Sequence, residues 1–390
     1  MNFDICIIGG AGHIGLPLSI AFAEKGQKVI IYDLNEQSLN LIEKGKMPFK
    51  EDGADKKLKE VINTTLFTTC NAESISHSRY IVVTIGTPVD EHLNPKFHEM
   101  KHFFDGILPY LKNEHIVILR STVYPGLTGK IQLMLKKTYP EIEVCFCPER
   151  IAEGKAMEEL YSLPQIISGF NEKAIGEVES LFKLLTKDSI KISPVEAELA
   201  KLFTNSWRYI QFATANQFYM LAEDYGLDFY KIYEAMTFNY PRTKGFPKPG
   251  WAAGPCLFKD TMQISAFAKN SFFLGHSAML INEGLPNFVI EKLKRQFDLK
   301  IKNVGILGMA FKAESDDKRE SLSYKLRRTL EIESNAVYCS DIYIKTPSFL
   351  SEEELIDRCD IIIIGSPHQK YKELDFKGKL VVDVWNMFSS

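Results

Sequence analysis

The chain has 390 residues, enough for two or three domains that each bury a core of their own. Its apolar content of 45%, charged content of 25% and formal net charge of -3 are those of a soluble globular protein. That balance argues against a nucleic-acid or membrane partner.

Residues 5–23 are largely apolar, but Asp4 precedes them and Gly9, Gly10, Gly12, His13, Gly15 and Pro17 interrupt them. The stretch therefore reads as a strand, a glycine turn and a buried helix, and neither as a signal sequence nor as a membrane span. Residues 3–8 predict a strand covered on both faces, and a helix follows from about 13 to 24, with Gly26 placed as a helix C-terminal glycine. Residues 29–32 predict a second strand that ends in Asp33. Further strands at 80–85, 116–120 and 143–147, with helical stretches between them, imply a parallel, doubly wound sheet. Seven cysteines, an odd number without regular spacing, fit a reducing, cytoplasmic compartment. Cys145 and Cys147 form a C-x-C pair, but no second pair or nearby histidine completes a zinc set, and no metal is expected.

Residues 195–225 contain no glycine or proline and carry apolar residues at helical spacing. They predict one long helix, opening a helical region that runs to about 297. Strand-like runs return at 304–307, 337–340, 361–364 and 380–384. The two ends echo each other: Ile7-Ile8-Gly9-Gly10 matches Ile306-Leu307-Gly308, and Asp33 matches Asp341. The run Val82 to Pro88 likewise matches Ile361 to Pro367. The expected fold is α/β, with two Rossmann-like domains, 1–193 and 299–390, joined by a central helical domain at 194–298.

Gly10-Ala11-Gly12-His13-Ile14-Gly15 is a G-x-G-x-x-G loop between a strand and a helix. The first glycine permits the tight turn, the second lets the backbone approach a pyrophosphate, and the third allows close helix–strand packing. The helix N-terminus adds N–H groups and partial positive charge. Asp33, about 20 residues on, suits a ribose 2′-hydroxyl and repels a 2′-phosphate, so the expected cofactor is NAD. In Gly254-Pro255-Cys256-Leu257-Phe258-Lys259-Asp260, the glycine and proline suit a turn and the residues after Cys256 open a helix. A thiol at a helix N-terminus, with a lysine three residues away, has two reasons for a lowered pKa. Taken alone, Cys256 also reads as a packing cysteine.

With these motifs the sequence resembles the UDP-glucose/GDP-mannose dehydrogenase family along nearly its whole length. The resemblance also rests on Ser121-Thr122-Val123, Pro148-Glu149-Arg150-Ile151-Ala152-Glu153-Gly154 and the run Glu198 to Asn205. Gly308-Met309-Ala310-Phe311-Lys312 and Asp316 to Ser321 complete it. It implies oxidation of the C6 alcohol of a UDP-sugar to a carboxylate, with Cys256 as nucleophile in a thiohemiacetal and a thioester, and two NAD reduced per sugar. Lys201 and Asn205, one helical turn apart, would stabilise and orient the reacting oxygen. Asp260 would activate water or hold Lys201, and Glu149 would act as base in thioester hydrolysis. Thr122 and Glu153 would lie near the nicotinamide, with Thr87, Lys259 and Arg319 also on the cofactor and Lys312 on the sugar nucleotide. Arg242 would be supplied across a homodimer interface built on the long helix.

Two departures bear on sugar recognition: Pro255 precedes the cysteine, where the family often has glycine or histidine, and Asp383-Val384-Trp385 replaces a frequent Asp-x-Arg. Pro148-Glu149-Arg150, Asn239-Tyr240-Pro241-Arg242 and Phe246 to Gly250 resemble enzymes acting on UDP-N-acetylhexosamines such as UDP-N-acetylmannosamine. Cys-x-x-Lys-Asp and Ala152-Glu153-Gly154 resemble UDP-glucose dehydrogenase, which stays open as the alternative. A non-catalytic nucleotide-sugar-binding protein and a two-electron hydroxyacid-type dehydrogenase are the other readings. Neither has a use for Cys256.

Overall fold

The computed structural model describes residues 2–86 and 97–388. It divides into two compact units, Met1–Phe203 and Thr204–Ser390, and the division falls within the helix Pro194–Asp224.

The first unit is built on the strands β1 (Phe3–Ile8), β2 (Val29–Tyr32), β3 (Leu66–Thr69), β4 (Ser78–Val83), β5 (Ile116–Leu119), β6 (Glu143–Phe146), β7 (Gln165–Gly169) and β8 (Ser189–Lys191). They form one sheet in the order β3-β2-β1-β4-β5-β6-β7-β8. β1 runs parallel between β2 and β4, with Ile7 opposite both Ile31 and Val82. Its alternate residues enter different cores, Ile5 and Ile7 on one face and Cys6 and Ile8 on the other. That two-residue period is how a strand covered on both sides is built. The expected helix at 13–24 is observed as Gly15–Glu24. Past its end Gly26 and Gln27 donate back to the carbonyls of Ala23 and Phe22 at 3.0 and 3.2 Å, the closing pattern expected of Gly26.

Two features depart from the sequence reading. β3, β7 and β8 were not anticipated, because they are only three to five residues long and β3 and β8 are half-exposed and rich in threonine, serine and lysine. β7 pairs antiparallel with β6, Cys145 opposite Gly169 and Phe146 opposite Ser168. The chain therefore turns back at the carboxyl edge there instead of crossing over, and the Ser168 hydroxyl donates to the Phe146 carbonyl at 2.8 Å.

In the second unit the helices Phe229–Thr237, Leu257–Phe267 and Phe273–Gln296 fill the expected helical region. The strands β9 (Asn303–Leu307), β10 (Ala336–Ser340), β11 (Ile361–Ile364) and β12 (Leu380–Val382) follow as a wholly parallel sheet, ordered β10-β9-β11-β12. One apolar cluster joins Tyr219, Phe229 and Trp251 of the helical part to Val304, Ile306 and Ile363 of the sheet. Both sheets place their first strand between the next strand in the chain and a later one, which is the echo read from the sequence. Among the described residues no helix is long and apolar enough to cross a membrane.

Candidate active site

In the first unit the glycine loop leaves the carboxyl edge of β1. The left-handed conformation that turns the chain falls on Gly9, at φ 74°, one residue ahead of the motif that the sequence singled out. The three motif glycines differ in what surrounds them. A Cβ on Gly10 would sit 2.8 Å from the Ile7 carbonyl oxygen, and one on Gly15 would sit 2.5 Å from the Gly10 Cα. Around Gly12 the nearest atom is the Gly9 oxygen at 3.6 Å. Gly10 and Gly15 are thus required by internal packing, whereas Gly12 leaves an open cradle of the kind a pyrophosphate occupies. Asp33 stands at the end of β2, where Oδ2 accepts the Ala11 N–H at 3.0 Å and Oδ1 the Asn35 N–H at 2.9 Å. Its carboxylate is tied to the loop whose ligand it would select. These residues fit NAD.

Ile14 caps the helix that follows the loop, and His13 lies against Glu153, with Nδ1 3.2 Å from Oε1. The ring of His13 also packs on Phe49 at 3.9 Å between centroids. Thr122 is half-buried just beyond the carboxyl end of β5. Thr87 lies outside the described residues. Glu149 is buried and fully engaged: Arg120 binds one carboxylate oxygen, while the N–H groups of Arg150 and Ile151 reach the other at 2.7 and 2.9 Å. Arg120, itself buried, donates also to Gln165 Oε1 at 2.8 Å and to the Cys147 carbonyl at 3.1 Å. From the sequence Arg120 reads only as a strand end. The signal that would have found it is a charged residue closing an all-apolar strand. The expected C-x-C pair is buried in this region as two thiols, and burial pushes Cys147 up to about 12.

In the second unit Cys256 is exposed and occupies the N-cap position of the helix Leu257–Phe267. Its carbonyl accepts the Asp260 N–H at 2.9 Å, the first bond of that helix. Asp260 is completely buried, and its Oδ2 accepts a hydrogen bond from the Asn205 amide at 2.6 Å. Among the described residues Oδ1 has no hydrogen-bond partner, and it lies 4.0 Å from the Lys259 ammonium. Lys201, half-buried, lies one turn before Asn205 along the helix Pro194–Asp224.

The loop leading to Cys256 is held at two points. Asn216 of the long helix, fully buried, donates to the Gly250 carbonyl at 3.0 Å and accepts the Gly250 N–H at 2.9 Å. Asn282 orients it, accepting from Asn216 at 2.9 Å and donating to the Tyr209 carbonyl at 3.0 Å. Gly254, at φ 102°, donates to the Glu320 carbonyl, and a Cβ there would fall 2.5 Å from the Phe311 ring. Phe311 thus brings the Lys312 segment to the cysteine loop, with the Lys312 ammonium 5.5 Å from that ring's centroid. Arg319 is clasped by Asp317, Nε to Oδ2 at 2.8 Å. Arg242 is exposed beside Tyr240. Trp385, at the place of the absent arginine, packs on Gly250 and donates Nε1 to the Ile364 carbonyl at 3.2 Å.

Three models of the UDP-glucose/GDP-mannose dehydrogenase family match the chain: the NAD-binding domain over 3–186, the central domain over 195–283 and the UDP-binding domain over 305–390. The UDP-N-acetyl-D-mannosamine dehydrogenase of Methanocaldococcus jannaschii is 30% identical, covering 99% of this chain and 92% of that protein. The chain belongs to this family. It is an NAD-dependent nucleotide-sugar dehydrogenase. A family member of known structure, the UDP-D-ManNAc dehydrogenase of Pyrococcus horikoshii, superposes with a TM-score of 0.91 at 26% identity, covering 99% of this chain and 100% of that one. A UDP-glucose dehydrogenase of Pyrobaculum islandicum has the same fold, with a TM-score of 0.89 at 24% identity over 99% and 96% of the two chains.

Proposed function

We propose that this dehydrogenase oxidises the C6 alcohol of UDP-N-acetyl-D-mannosamine to the uronate through a covalent adduct on Cys256. The observation that carries the reading is Cys256 at the head of a helix, one turn before the buried Asp260 that Asn205 holds. The sugar follows from the relatives in Methanocaldococcus jannaschii and Pyrococcus horikoshii and from the Asn239 to Arg242 motif. Gly10, Gly12, His13, Ile14, Gly15, Asp33, Thr87, Thr122, Glu153, Lys259 and Arg319 would hold NAD, which would supply the hydride acceptor for each of two oxidations. The helix N-terminus favours the Cys256 thiolate. Its sulfur bonds to the C6 carbon of the aldehyde while the carbonyl electron pair moves to oxygen, making an oxyanion that Lys201 stabilises and Asn205 orients. After the second oxidation that carbon is a thioester. Water then adds with Glu149 or Asp260 taking its proton, the C–S bond breaks, and carboxylate and thiolate separate.

Lys312 binds the sugar nucleotide, and Arg242 reaches the site of a partner copy. A homodimer on the long helix is supported by exposed apolar side chains, with Trp207 60% exposed on that helix, Tyr225 80% exposed just past its end and Phe273 75% exposed on a second helix. The same proposal takes the division at 1–193, 194–298 and 299–390, a cytoplasmic setting, and a uronate product destined for polysaccharide. An NADH-production screen over UDP-N-acetylmannosamine, UDP-N-acetylglucosamine, UDP-glucose and GDP-mannose tests it. UDP-N-acetylmannosamine is expected to turn over best. Preference for UDP-glucose would move the assignment to that enzyme, and turnover of none would favour a binding protein.

A further inference from the structure

A buried imidazole–carboxylate pair at the carboxyl edge of the second sheet has no part in the chemistry above. His368 and Asp341 are both fully buried, with Nε2 3.3 Å from Oδ2. The backbone N–H of Glu314 donates to His368 Nδ1 at 3.0 Å. A ring nitrogen that accepts carries no proton, so the imidazole proton sits on Nε2 and points at Asp341. The same Oδ2 accepts the N–H groups of Met309 and Ala310 at 2.6 and 3.0 Å. Oδ1 takes those of Tyr343 and Ile344 at 2.8 and 2.9 Å. Burial alone would raise the Asp341 carboxyl, but these bonds, that of His368 foremost, hold it below its ordinary value.

One imidazole–carboxylate unit therefore grips the segment after β9 at both ends, directly at Glu314 and through Asp341 at Met309 and Ala310. Glu314 returns the grip, its carboxylate accepting the Gln369 N–H at 2.8 Å and the Tyr343 hydroxyl. Its backbone has φ 56°, a conformation a non-glycine residue keeps only where its surroundings impose it. Between these anchors lies Lys312. An aromatic side chain would fill the His368 position without the desolvation cost of a buried polar pair.

We propose that His368 is a positioning residue for nucleotide-sugar binding, fixing with Asp341 the 309–314 segment so that Lys312 is presented to the ligand. The proposal rests on the reading of Lys312 as a sugar-nucleotide contact. The test measures UDP binding by calorimetry, with NAD binding as control, on the full chain and on His368→Leu, His368→Asn, Asp341→Asn and Lys312→Ala. His368→Leu is expected to weaken UDP about tenfold and to raise the UDP-sugar KM with kcat little changed, leaving NAD affinity untouched. His368→Asn, whose side-chain oxygen stands in for Nδ1, is expected to recover most of the loss. Wild-type UDP affinity in His368→Leu, beside a clear loss in Lys312→Ala, overturns the proposal. Wild-type affinity in Lys312→Ala overturns the reading beneath it instead. Should His368→Leu fail to fold, Asp341→Asn decides: weaker UDP binding with unchanged NAD binding supports the proposal, and unchanged UDP binding overturns it.

Discussion

At Gly12 an added methyl group would meet the Gly9 oxygen at 3.6 Å and nothing closer, whereas at Gly10 it would collide with the Ile7 carbonyl. The two positions should therefore separate binding from folding. Gly12→Ala is expected to lose most NAD affinity at a nearly unchanged Tm, while Gly10→Ala lowers Tm outright. Equal Tm losses in both would remove the argument that Gly12 is kept small for a ligand. For Cys256→Ala the expectation is no NADH production from UDP-N-acetylmannosamine with NAD binding intact. Arg120 and Glu149 form a buried ion pair, so Arg120→Met strands a carboxylate and is expected to cost about 3–5 kcal/mol in denaturant unfolding. A loss within about 0.5 kcal/mol, the scale of an ordinary surface change, would contradict that. The glycine loop, Asp33 and the cysteine turn were legible in the sequence because their residue types are forced by backbone geometry and chemistry. Arg120, Asn216 and His368 were not, because a lone polar residue does not announce that its partner lies tens of residues away.

Among the elements, the long helix does more than supply Lys201 and Asn205. Through Asn216 it holds both backbone groups of Gly250 at the base of the cysteine loop. Asn216→Leu leaves a buried N–H and a buried carbonyl unpaired, each worth about 1–3 kcal/mol. The expected result is a lower Tm together with slower alkylation or altered pH dependence of the Cys256 thiol, while NAD affinity stays unchanged. Strand β5 begins after His115, which is buried, and burial depresses its pKa from 6.5 to about 4. The neutral ring is the folded form, so its contribution to stability is complete above pH 6.5 and is lost as pH falls toward 4. Thermal denaturation across that window should show a decline that His115→Asn, which keeps an acceptor for the Lys112 N–H, reduces. Long periodic elements were readable from pattern alone, down to the 195–225 helix. Leu66–Thr69 and Ser189–Lys191 were not, since three or four polar-flanked residues carry no period.

On the scale of the whole molecule, the glycine loop and Asp33 lie in the first unit and Cys256 in the second. The echo between the two sheets was visible in the sequence because buried parallel strands and their glycine turns repeat the same residue types. The antiparallel pairing of β7 was hidden, because strand direction follows from where a connection runs. If the long helix mediates a dimer, Trp207→Glu should shift sedimentation velocity from dimer to monomer, and an unchanged dimer would place the interface elsewhere. The proposed mechanism has one site oxidise the same carbon twice with the sugar held on Cys256. Counting NADH formed per molecule of limiting UDP-N-acetylmannosamine tests it most directly. Two are expected, with a uronate product; one, with an aldehyde released, would contradict a double oxidation on Cys256.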